Sequence, residues 1–239
     1  MIVYKYMSLA GLDACLANRT IRFTKPANFN DPFDCAASTG GTRQGLNIRT
    51  AGSTNADRLF CIRNAIGVLS LTRNPLNQLM WAHYGQNHTG GVIAIDAEAA
   101  GLECTKLNII TASTGNIIYT TVRPSVDSDD LPYHDEISGQ NNRLMLERLF
   151  LYKSLHWSYE EEVRVARRVE YTPQVQHQDF EIPASAIVGV YLGAKYISAL
   201  TNDWDGKLPK VHLKHPDFSY HLCSLDARTW DLHSESYSP

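Results

Sequence analysis

The sequence predicts an α+β fold, a single mixed, mainly antiparallel sheet with several helices packed on it. Three observations predict it. Strand-like apolar runs and helical patterns are mixed without the strict alternation of a doubly wound sheet. The 239 residues are 44% apolar and 20% charged, an ordinary globular composition. No apolar run is long enough to cross a bilayer. Residues 1–239 read as one domain, with mobile loops near 37–53 and 124–136.

Residues 2–7 have strand composition, apolar and polar side chains roughly alternating. Ser8 is placed as an N-cap, and Leu9, Leu12 and Leu16 form one helical face up to Asn18. A second strand is expected over 20–24. Residues 28–34, NFNDPFD, form a compact turn, because Asn and Asp bond their own backbone and Pro ends a helix. Residues 37–53 are rich in Gly, Ser and Thr. A helix over 55–66 and a strand over 68–72 follow. Asn74-Pro75 supplies an N-cap and a first-turn proline for a helix reaching Gly85, with Leu76, Met80 and His83 on one face. Strands are expected over 91–96, 107–110 and 117–122. Segment 124–136 is acidic and turn-rich. Residues 139–156 are expected to be the longest helix, followed by strands over 161–167, 187–192, 210–214 and 219–222 and a frayed tail from Ser234.

Charge and cysteine usage exclude several classes. Lys+Arg is 22 and Asp+Glu is 25, a formal charge of −3. That argues against a broad basic footprint for duplex nucleic acid and leaves room for a narrow basic cleft. The five cysteines contain no CxxC, so neither a disulfide framework nor a zinc knuckle is expected. The N-terminus has no apolar h-region or cleavage site, so a cytoplasmic chain with no membrane partner is expected.

Candidate chemistry concentrates in a few segments. In Tyr159-Glu160-Glu161-Glu162-Val163-Arg164-Val165, alternate side chains of a strand share a face. With the valines inward, Glu160, Glu162 and Arg164 project together. Neighbouring carboxylates push their pKa values apart, which suits acid–base or electrostatic work; a solvated strand with ion pairs is the plainer reading. In the helical segment, Trp81 and Tyr84 could stack on a flat ligand, or simply pack in the core. His83 and His88 are five apart, poor spacing for a shared metal, and no metal site is expected. The NFNDPFD turn offers backbone N–H groups and carboxylates near Asn30 and Asp31. Lys5, between Tyr4 and Tyr6, could hold a phosphate. There is no Walker loop, GxGxxG, GxSxG or HExxH, so a simple kinase or Ser-His-Asp hydrolase gains little support.

Several phrases resemble the domain-of-unknown-function 2971 family, a bacterial and phage-associated group. They are Tyr4-Lys5-Tyr6, IRFTKPANFNDPFD at 21–34, SLTRNPLNQLMWAHYGQNHTGGVIAID at 70–96, LYKSLHWSYEEEVRV at 151–165 and IVGVYLG at 187–193. More distantly, the motif order resembles ADP-ribosyltransferases, which carry an early-strand Arg, then Ser-x-Ser/Thr, then Glu-x-Glu. Here the corresponding residues are Arg22, Ser70-Leu71-Thr72 and Glu160-Glu161-Glu162. Lys153 ahead of Glu160 is similar to the DarT-like, nucleic-acid-modifying branch, where a Lys-bearing helix precedes the Glu strand.

That resemblance implies an ADP-ribosyltransferase-like fold and an NAD-consuming enzyme, a toxin or anti-phage effector acting on a protein or nucleic acid. Glu162 would be the catalytic carboxylate that stabilises an oxocarbenium-like ribose, and Glu160 would position or deprotonate the acceptor. Arg22 and Lys5 would hold phosphates. Tyr6, Asn30, Asp31, Ser70, Thr72, Trp81, His83, Tyr84 and Arg164 would complete the NAD site. The physics is coherent, since a carboxylate beside a developing cation acts mainly in the transition state, and Arg binds diphosphates bidentately. Two other classes fit the same residues. One is a Mg²⁺-dependent nuclease or phosphodiesterase using Asp31, Asp34, Glu160 and Glu162. The other is a non-enzymatic nucleotide- or partner-binding module of a defence or phage system. Oligomeric state is left open.

Overall fold

A computed structural model describes residues 1–35, 38–39, 54–126, 143–172, 174–202 and 218–238. Its strands are β1 (Ile2–Met7), β2 (Thr20–Thr24), β3 (Ser38–Thr39), β4 (Ile66–Thr72), β5 (Gly91–Asp96), β6 (Asn108–Ile110), β7 (Ile118–Thr120), β8 (Ser125–Val126), β9 (Tyr152–Ser154), β10 (Glu162–Arg168), β11 (His177–Glu181), β12 (Ile187–Leu192), β13 (Ser219–Leu225) and β14 (Leu232–Tyr237). The helices are α1 (Leu9–Asn18), α2 (Thr54–Ala65), α3 (Gln78–His83), α4 (Arg143–Phe150) and α5 (Tyr196–Thr201). A 3₁₀ helix, Leu155–Glu160, precedes β10.

A 10-stranded sheet runs β11-β2-β4-β1-β5-β12-β13-β14, with β10 on β4 and β6 on β10. Within it β12 and β13 are parallel and the other pairs are antiparallel. The fold is α+β with a mixed, mostly antiparallel sheet, as the irregular order of elements predicts.

Alternation along β4 and β10 sorts the sheet into two faces. Leu69, Leu71, Val163 and Val165 join the core beneath α1, with Leu9, Leu12, Phe23 and Ile93. Val68 and Ala166 face the other way, against Ile62 of α2 and Met145, Leu146, Leu149 and Phe150 of α4. Burying several such side chains at about 1.5–3 kcal/mol each fixes the β4–β10 register. On this second face the apolar residues give way, at one end of the ladder, to Ser70, Thr72, Glu162 and Arg164.

Several expected elements shift. The long helix over 139–156 is α4 alone among the described residues, and the chain then enters β9. The period changes there from helical to alternating: Lys153 is buried between the less buried Tyr152 and Ser154. The helix expected from Asn74 begins at Gln78, because Asn77 is the residue whose side chain accepts from Leu79 N and Met80 N. Asn74 instead closes a turn onto Leu76 N. The tail is not frayed, since β14 pairs along β13 from Leu232 to Tyr237. Strand β11 answers to no sequence expectation. The strand expected over 210–214 lies outside the described residues, as do most of segments 37–53 and 124–136. Of those segments, Ser38–Thr39 and Ser125–Val126 form a short parallel pair. Among the described residues no helix is long and apolar enough to cross a membrane.

Candidate functional site

The site grows from a fork in the sheet. β10 occupies one whole edge of β4, from Glu162 opposite Thr72 to Arg168 opposite Ile66. On the other edge β1 pairs at Tyr4–Thr72 and β2 pairs at Thr24–Val68. Ser70 lies between these pairs, where β1 and β2 part. Its carbonyl accepts a hydrogen bond from Lys5 Nζ at 2.8 Å. By alternation the Lys5 stem starts from the α1 face, so the ammonium reaches into the fork from behind. Burial pushes the Lys5 pKa down, against the attraction of Glu162 and Glu160.

Above the fork lies a cleft of about 340 Å³, lined in part by Tyr4, Lys5, Tyr6, Ser70, Thr72, Tyr84, Lys153, Glu160 and Glu162. Its floor is an ionic cluster. Lys153 Nζ lies 2.5 Å from Glu160 Oε2, 3.0 Å from Glu162 Oε2 and 3.6 Å from Asp34 Oδ2. Arg164 donates from Nε to Glu162 Oε1 at 2.8 Å and from Nη2 to Glu162 Oε2 at 3.0 Å. It also donates from Nη2 to Asp34 Oδ2 at 2.7 Å and from Nη1 to the Phe150 carbonyl at 2.8 Å. Tyr84 donates to Glu160 Oε1 at 2.7 Å. Arg164 is 0% exposed, Glu160 3% and Glu162 5%. Charges this deeply buried persist only when paired and hydrogen-bonded.

Local backbone geometry brings the carboxylates together. In a regular strand Glu160 and Glu162 would stand about 7 Å apart. Glu160 instead ends the 3₁₀ helix, and Glu161 caps it at φ 45 in the left-handed region. Non-glycine residues adopt that region at a cost, and such strain clusters at functional sites. The turn leaves Glu161 exposed and both neighbouring carboxylates on one ammonium. Asn77 locks helix α3 to this turn: its Nδ2 donates to the Tyr159 carbonyl at 2.7 Å and its N–H to Tyr6 Oη at 3.1 Å.

The two carboxylates titrate differently. Burial raises the Glu162 proton affinity, but Arg164, Lys153 and the Ser70 side chain overcome it and hold the group down at about 2. Burial also raises Glu160, and with Glu162 beside it Lys153 and Tyr84 do not bring it back to the usual range. Glu162 is therefore a locked anion whose oxygens face Arg164, Lys153 and Ser70. Glu160 is the more basic carboxylate, hydrogen-bonded by Lys153 and Tyr84.

The sequence-derived candidates divide. Glu160, Glu162, Lys5, Tyr6, Ser70, Thr72, Tyr84 and Asn30 all line the cleft. Arg164 lies beneath it, its donors taken by Glu162, Asp34 and the Phe150 carbonyl. Arg22 is not at the cleft: it is exposed and forms a two-point pair with Asp179 of β11 at 2.8 Å. Trp81 is 0% exposed and donates to the Pro75 carbonyl, so it is core rather than a stacking surface. His83 is exposed, not on the buried side of its helix. Asp31 accepts from Trp157 Nε1 at 2.9 Å and from Phe33 N, and borders a neighbouring cavity. Asp34 and Lys153 carry more of the site than their sequence context signalled. A lysine in the apolar run Leu149-Phe150-Leu151-Tyr152-Lys153 was the available clue for the latter.

Fold and site define an α+β protein with a buried carboxylate–cation cluster at a sheet fork. Residues 80–165 match a family described as Protein of unknown function (DUF2971). The matched span holds Tyr84, Lys153, Glu160, Glu162 and Arg164, and the β1, β2 and β4 residues of the cleft lie outside it. No curated protein and no solved structure matches the chain.

Proposed function

We propose that the protein is an NAD-consuming, ADP-ribosyltransferase-like enzyme. The observation that carries this reading is Glu160: a buried, cleft-lining carboxylate of raised proton affinity, beside a second carboxylate that Arg164 and Lys153 keep ionised well below the usual carboxylate range. The chemistry begins with cleavage of the bond between ribose C1′ and the nicotinamide nitrogen. The bonding electrons leave with nicotinamide, and the ribose becomes oxocarbenium-like. A carboxylate placed beside that carbon stabilises the charge only as it develops. The acceptor, a protein side chain, a nucleobase or water, then adds to C1′ and gives its proton to Glu160.

In this reading Glu160 takes over the stabilising role that the sequence expectation gave to Glu162 and keeps its own role toward the acceptor. Glu162 is neutralised by Arg164 and Lys153, so it positions Lys153 and the β10 edge. Glu160 meets the substrate. Lys5 supplies the cation for a phosphate, and Tyr6 and Tyr84 give the nicotinamide ring its walls. Metal-dependent phosphodiester cleavage fits less well, because the oxygens of Asp34, Glu160 and Glu162 already face Lys153 and Arg164. A divalent ion would have to displace both cations.

The test is incubation with NAD while following free nicotinamide, with and without lysate or nucleic acid. Release that survives EDTA and falls at least about 100-fold in Glu160→Gln is expected. No release under any acceptor condition, or full release by Glu160→Gln, overturns the reading.

A further inference from the structure

A second and larger cavity, about 680 Å³, adjoins the cleft, and Asn30 and Lys153 line both. Its other walls come from the NFNDPFD turn, the end of β7 and the residues around β9. We propose that this cavity takes the adenosine-phosphate end of the dinucleotide, an assignment that rests on the reading above.

Its lining combines a flat apolar surface with positive charge. Phe33 is 63% exposed, an unusual state for a large aromatic ring. The Arg123 guanidinium lies 4.9 Å from its centroid. Arginine over an aromatic ring is a ready platform for a third flat group. Arg148 and His156 stand in the same cavity. The acidic group there, Asp31, is tied to Trp157 Nε1 and to Phe33 N. The cavity thus favours a ligand that is planar and anionic at once, which a nucleotide is.

Continuity sets the orientation. The bond that breaks must lie against Glu160, in the smaller cleft. The end that does not react extends past Asn30 and Lys153 into the larger space. That places the purine at Phe33 and Arg123 and a phosphate near Arg148. Both volumes fall within the usual range for small-molecule sites, about 300–1,000 Å³.

Calorimetric titration tests this on the full chain with AMP, ADP-ribose, nicotinamide mononucleotide and a short single-stranded oligonucleotide as probes. AMP and ADP-ribose are expected to bind, and to weaken about tenfold or more in Phe33→Ala and Arg123→Gln. Phe33→Tyr keeps the platform and is expected to keep the affinity. Glu160→Gln is expected to leave AMP binding unchanged, and the mononucleotide to be insensitive to Phe33→Ala. AMP binding that is absent, or equal in Phe33→Ala and the parent protein, overturns the assignment. Oligonucleotide binding that depends on Phe33 while AMP fails to bind overturns it too, since the cavity would then hold an acceptor strand. AMP binding needs no turnover. AMP binding as expected, with no nicotinamide released, sinks the enzymatic reading and leaves the nucleotide subsite standing. Release with Phe33-independent AMP binding does the reverse.

Discussion

Glu160 and Glu162 share a single ammonium: Lys153 Nζ lies 2.5 Å from one carboxylate and 3.0 Å from the other. Two buried anions on one cation leave one of them short of positive charge. Arg164 resolves the competition by taking both oxygens of Glu162. Glu160 is left as the less compensated group, and it borders the cleft.

Removing the shared cation exposes this balance. Lys153→Met leaves Glu160 without its cation in a buried site and Glu162 with Arg164 alone, and breaking a buried pair costs about 3–5 kcal/mol. Urea unfolding of the variant and the parent protein measures it. A loss below about 1 kcal/mol, the scale of an exposed pair, contradicts the buried network.

The two glutamates are separable by stability and activity together. Glu162→Gln leaves Arg164 without its two-point partner and is expected to destabilise by about 2 kcal/mol or more. Glu160→Gln keeps its bond to Tyr84 and is expected to be nearer to neutral in stability while losing nicotinamide release. Equal destabilisation by both would remove the distinction drawn between them.

Their pH dependences run in opposite directions. Glu162 is held at about 2, below its ordinary 4.5, so its stabilisation is present above 4.5 and lost as pH falls toward 2. Glu160 is raised above 4.5, so its contribution is full below that value and lost as pH rises through the folded pKa. Stability of Glu160→Gln against pH should therefore lack the falling limb above 4.5. The acid limb of the parent's activity should lie above the ordinary carboxylate range.

Lys5 is assigned to binding rather than bond cleavage. Lys5→Gln is expected to raise the KM for NAD about tenfold with kcat retained. Because burial lowers its pKa, affinity in the parent should weaken in a range below that of an ordinary lysine. A fall in kcat at constant KM would place Lys5 on the chemical step instead.

Arg22 supplies a negative control with a physical basis. Its partnership with Asp179 is exposed on both sides, at 55% and 36%. Arg22→Ala should change stability by no more than about 1 kcal/mol and leave NAD turnover unchanged. Loss of turnover would return Arg22 to the site.

The legible part of the site was what period-two alternation encodes. Glu162 and Arg164 share a face, as the strand pattern implied; that Thr72 and Ser70 stand opposite them is a pairing the structure supplies. The illegible part depended on partners distant in sequence. Nothing in IRFTKP says that Arg22 will meet Asp179, because β11 carries no recognisable strand signal. Nothing in NFNDPFD says which of its carboxylates is buried: Asp34 is drawn in by Arg164, 130 positions away. Trp81 and Tyr84 both read as stacking surface or core, with core favoured for at least one of them, and only their neighbours show that it is Trp81.

By itself the sequence determined the mixed α+β class, the faces of β10 and most helix and strand positions, since these follow from local periodicity and caps. The tertiary structure alone decided where the sheet forks, that Lys5 reaches the fork from behind, and that Lys153 gathers Glu160 and Glu162. Those outcomes follow from charge neutralisation in a buried volume. A buried charge takes the partner that the packed chain brings within hydrogen-bond distance, and sequence separation does not enter that selection.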